Sequence, residues 1–142
     1  MIAVPHDSAA VLSELTNGFA EVLLATATTP LLPIALVHCL TALYAGRNLA
    51  PPLCNESTRS AVRYGWQAAA ALYTVLGMKA RSTAEYVTPT FGRDELIDRA
   101  IRSGDEHAIK YTEACLSEYV LSPSPIYLRA ADHAIGWLTP SR

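Results

Sequence analysis

Apolar residues recur at helical spacing along most of this chain. Val11, Leu12, Leu15, Phe19, Val22 and Leu23 fall on one face of a 3.6-residue repeat. Asp7 or Ser8 stands where a cap is needed, so the spacing predicts a helix to about Ala27, weakened slightly by Gly18. Thr28 to Pro33 interrupts it, because each proline removes a donor and the residue before it resists the α conformation. Pro33 suits the first turn of a second helix, which runs to about Tyr44 with Gly46 as its stop. Asn48 to Cys54, with Pro51 and Pro52, reads as a loop.

Asn55 or Ser57 opens a third helix to Leu76, capped by Gly77. Its run Gln67 to Leu72 carries small side chains and predicts close approach by another helix. Lys79 to Gly92 reads as a loop with the makings of a lid. Asp94 caps a short fourth helix to Arg102, and Ser103 and Glu106 have capping-box spacing. A fifth helix follows from about Asp105 to Leu121. Ser122-Pro-Ser-Pro125 breaks the chain, and Ile126 to Leu138 forms the last helix. No segment alternates in the manner of a strand. The expected fold is all-α: one helical domain over residues 1–142, a bundle of five to six helices with no sheet.

Composition narrows the class. With 142 residues the chain can bury roughly 70% of its unfolded surface without needing disulfides. Its 51% hydrophobic and 17% charged residues exclude disorder. A net charge of −2 argues against a phosphate-tracking nucleic-acid binder, which would be basic. Cys39, Cys54 and Cys115 are odd in number and fit no zinc spacing. They read as reduced, core-packed thiols of a cytoplasmic protein. The N-terminus has no basic n-region, so no signal peptide is expected. Val22 to Gly46 holds 25 residues without Asp, Glu, Lys or Arg, long enough to cross a bilayer. Its prolines and threonines favour two soluble helices instead, the second buried nearly all round.

There is no GxGxxG, P-loop, HExxH, GxSxG or zinc-finger spacing, and no flavin motif. The histidines carry more. His6 and His133 stand in ordinary settings. His38 is the one ionisable imidazole inside the uncharged stretch. A buried imidazole must bond to something. It is either a core histidine donating to a backbone carbonyl or a metal ligand. Ser103 to Cys115 is the densest polar stretch. On a helix His107, Lys110 and Glu113 share a face, flanked by Tyr111 and Ala114. That face is either solvated, with a Lys110–Glu113 ion pair, or turned into the core. A buried Lys110 amine would lose its proton readily and could take up carbon dioxide as a carbamate, an anionic oxygen ligand.

Ile101 to Tyr119, containing Asp105-Glu-His107 and Lys110, closely resembles the C-terminal signature of the questin oxidase-like proteins. Val37-His-Cys-Leu-Thr-Ala42 resembles that family's histidine-bearing helix, and Tyr64 to Tyr73 its tryptophan–glutamine helix. The likeness runs from about Leu32 to Leu138. It implies a helical oxygenase acting on polyketide-type aromatics through non-haem iron(II), with NADPH as a further cofactor. It also implies His38, His107 and a carboxylated Lys110 as metal ligands, with Glu113 behind them. The catalytic residues proper stay unassigned. Family members are more than twice this long, and nothing before Leu32 resembles their N-terminal histidine segments. The expected partners are therefore a small aromatic substrate and a second copy or a complementary N-terminal chain, with no nucleic acid and no membrane span. The alternative is a non-catalytic helical interaction module, or a truncated family member that needs a partner chain. A small membrane-associated protein is a third reading.

Overall fold

The computed structural model describes residues 8–26, 31–49, 55–75 and 89–139. They form six helices and, among the described residues, no strand. These are α1 (Ser8–Thr26), α2 (Leu31–Leu49), α3 (Asn55–Val75), α4 (Arg93–Ser103), α5 (Glu106–Leu121) and α6 (Pro125–Leu138). The all-α reading holds. Asp7, Cys54, Leu76, Gly77, Lys79 and His6 lie outside the described residues, as does most of the expected lid.

The core follows the periodicity. Leu12, Phe19 and Leu23 of α1 are buried, with Val11, Leu15 and Val22 packed against them. From α2 come Leu36, Val37, Cys39, Leu40 and Leu43, and from α6 Tyr127, Ala130, Ala131 and Ala134. α5 packs chiefly on α6 and also touches α2 and α4, while α1 lies across α2 and α6. α3 packs on α2 and the edge of α1. Its close approach is at Gly65, where an added Cβ would stand 3.2 Å from Leu43 Cδ2. The Gln67–Leu72 run was expected to provide that approach, but Ala68, Ala71 and Leu72 are exposed and only Ala69 is buried.

Several boundaries differ from expectation for identifiable reasons. α2 passes through Gly46 to Leu49, and the extra turn carries Arg47 to a buried partner on α5. α2 is also not buried all round: His38, Ala42 and Ala45 face outward. α4 begins at Arg93 behind Gly92, so Asp94 lies in its first turn and is not its cap. The expected capping box does not form. Gly104 takes the left-handed conformation (φ +69°) and ends α4, and Asp105 then caps α5. Asp105 Oδ1 accepts from the His107 and Ala108 backbone N–H at 2.8 and 3.0 Å. The Ser103 hydroxyl donates to the Ala100 carbonyl instead. At the far end, Arg99 stacks over Phe91 at 4.1 Å and pairs with Asp132 at 3.0 Å, tying α4 to α6. No described helix is long and apolar enough to cross a membrane.

Candidate functional site

α2 and α5 bring His38 and His107 together. Their ring centroids lie 5.5 Å apart, edge to face at 83°. The residues are 69 positions apart in sequence, so only the helix packing joins them. His38 is held by its neighbours Val37 and Cys39, both buried. His107 sits in the first turn of α5, one residue before buried Ala108. Asp105, fixed by its capping bonds, places Oδ1 3.6 Å from His107 Nδ1. The carboxylate stands beside the ring but is too far from it for a hydrogen bond.

This is a solvent-facing site. His38 is exposed and the His107 side chain is 24% exposed, so the expectation of a buried imidazole in α2 is corrected. The uncharged stretch pointed to burial, but one face of α2 has no described helix over it. The polar face of α5 also differs from its buried version. Tyr111 and Ala114 enter the core, while Lys110 and Glu113 point outward. Lys110 Nζ bonds Glu106 Oε2 at 3.0 Å, one turn back, and not Glu113. That hydrogen bond and the ammonium charge hold the Glu106 carboxyl below its usual range. Lys110 is 61% exposed, so it lies on the solvated version of this face and not in the core.

The donor chemistry fits a divalent metal at two positions. Two imidazoles sharing an ion, with metal–nitrogen bonds of about 2.1 Å and tetrahedral angles, hold their centroids about 5 Å apart. The observed 5.5 Å is compatible with that and is equally an ordinary edge-to-face contact of two rings. Among the described residues, however, no group of three His, Cys, Asp or Glu side chains could hold a metal ion. Further ligands would have to come from Lys110 or from outside the described residues.

The other histidines stay apart. His133 is half-buried on α6 against Trp137, with centroids 6.2 Å apart. Burial pushes its pKa down, with Arg129 adding and Asp132 opposing. His6 lies outside the described residues. Cys39 and Cys115 are free and buried, as expected. Burial pushes the Cys39 thiol up to about 11 and the Cys115 thiol higher still, so neither is a ready nucleophile.

The sequence reading missed one polar cluster. Glu118 is fully buried. It receives Arg47 Nε and Nη2 at 2.8 and 2.9 Å, one on each carboxylate oxygen. Thr16 donates to Oε2 at 3.0 Å, and the Tyr127 hydroxyl lies 2.8 Å from Thr16 Oγ1. Arg47 also reaches the Ser13 hydroxyl at 3.0 Å. The signal was legible: Ala108, Tyr111, Cys115 and Glu118 repeat at helical spacing, which puts a carboxylate on the buried face. Both carboxylate oxygens are satisfied, so the cluster clamps α1, α2, α5 and α6 and leaves no oxygen free for a substrate.

No family model matches the chain, and no curated protein or solved structure matches it either.

Proposed function

We propose that the chain carries the histidine-bearing part of a non-haem iron oxygenase of the questin oxidase-like kind, acting on polyketide-type aromatics. The observation that supports this reading is the meeting of His38 and His107 at 5.5 Å. Two histidines chosen from separated sequence blocks as co-ligands come into ring contact across α2 and α5. In this reading the two imidazoles hold iron(II), which when bound supplies an open position for dioxygen chemistry. Lys110 would join them only on leaving Glu106 and taking up carbon dioxide, and the remaining ligands would come from a partner chain or a second copy.

The test is iron content. The purified protein is loaded anaerobically with Fe(II), desalted and assayed for iron per chain. Near-stoichiometric iron is expected, lost in His38→Ala, His107→Ala and Lys110→Ala and kept in Lys79→Ala. Circular dichroism checks that each variant is folded. Iron at background, or iron that survives both histidine variants, overturns the reading. Survival in Lys110→Ala alone removes the lysine from the ligand set.

A second reading, a helical interaction module, is favoured by the incomplete donor set and by the exposed Ile97, Ile101 and Ile109 on α4 and α5. A folded protein without iron that assembles with itself or another chain is its expected behaviour.

A further inference from the structure

α4 and α5 form an antiparallel hairpin around Gly104 and Asp105, and its outer side holds a groove of about 260 Å³. The walls are Ile97 and Ile101 of α4 and Ile109 of α5, which are 36, 61 and 41% exposed. Val120, 62% exposed, continues the α5 stripe three turns beyond Ile109. Branched apolar residues at three- and four-residue spacing on two neighbouring helices form a bundle face that nothing among the described residues covers.

Two polar features distinguish this groove from a merely greasy surface. Thr112 lines it and is 2% exposed, yet its hydroxyl has no hydrogen-bond partner among the described residues. Thr41 and Thr74 each return their hydroxyl to the carbonyl one turn back, at 2.8 Å. Thr112 does not, so its hydroxyl lies beneath the groove floor without an acceptor among the described residues. Arg93 and Glu113 also line the groove, and neither makes an ion pair or side-chain hydrogen bond with a described residue.

We propose that this hairpin face binds a second copy of the chain, giving a two-fold dimer with a four-helix interface. One cation and one anion on the same apolar groove make it self-complementary. In an isologous pair each chain's Arg93 meets the other's Glu113, and the isoleucines close against their own copies. A uniformly acidic or basic partner would be repelled by one of the two rim charges. His107 faces α2 on the other side of α5, so the dimer and the iron site stand or fall separately.

Molar mass is measured by sedimentation equilibrium over a wide concentration range, at low and high salt. A reversible dimer is expected, weakened by salt. Ile101→Asp is expected to be monomeric. Arg93→Glu and Glu113→Arg, both at exposed positions, each raise the dimer Kd by at least about tenfold, because each places like charges opposite one another twice. The combined Arg93→Glu/Glu113→Arg chain restores the opposite pairing and returns to within about threefold of the original Kd. A wild-type monomer at every concentration overturns the proposal. So does a dimer indifferent to all three single substitutions, or a double reversal no tighter than the single ones.

Discussion

Gly104 shows how one residue can direct several others. Its φ of +69° is the only positive value among the described residues, and its N–H closes α4 on the Ile101 carbonyl at 3.2 Å. No side chain would be crowded there, since an added Cβ meets nothing within 4 Å. The penalty for Gly104→Ala is therefore purely conformational, about 1–2 kcal/mol, and urea unfolding should show that loss with the helix content unchanged. The same turn explains why the capping-box reading failed. Glycine ends one helix and immediately presents Asp105 to the next, so Ser103 is left on the wrong side of the turn. His38 is a different kind of case. Its chemical oddity within an uncharged stretch was plain in the sequence. Its exposure was not, because apolar residues flank it along the chain and only packing shows which flank is covered.

At the scale of elements, the clamp on Glu118 decides where α2 ends. A glycine within a helix costs about 1 kcal/mol relative to alanine. The helix nevertheless continues through Gly46 because the next residue, Arg47, makes two charge-assisted bonds to a fully buried carboxylate. Arg47 also stands in the last turn, where a cation suits the helix dipole. Removing the charge at Glu118 strands Arg47 and the Thr16–Tyr127 hydroxyl pair. Glu118→Gln keeps the shape and should cost about 3 kcal/mol in denaturant unfolding, the low end for a buried pair because Arg47 remains 15% open to solvent. An unchanged midpoint would mean that the network orders the four helices without stabilising them. The helices themselves were legible from periodicity. Their meeting at Glu118 was only half legible, since spacing marked the carboxylate as buried but named no partner.

For the whole molecule, acid stability depends on groups that the fold keeps from protonating. The unfolded chain carries His133 near its ordinary pKa of 6.5, whereas burial lowers it in the folded chain. Between those values the unfolded state binds more protons, so stability is full above about 6.5 and falls as the pH drops through and below it. The unfolding free energy from urea titrations should decline over that window, by at most about 1.4 kcal/mol per pH unit for one proton. His133→Gln should flatten the decline, and an equal slope in the variant would assign it to other groups. The sequence by itself determined the helical class, the position of each described helix to within a few residues and the core-facing thiols, while the pairing of His38 with His107 came from a family resemblance. The first three follow from local periodicity and residue chemistry, which a chain carries wherever it folds. Only the tertiary structure decided that the two histidines meet in the open, that Lys110 turns to Glu106, that Glu118 is clamped, and that no described residue covers the α4–α5 face. A helix has one repeat but several faces, and its neighbours determine which of them lose water.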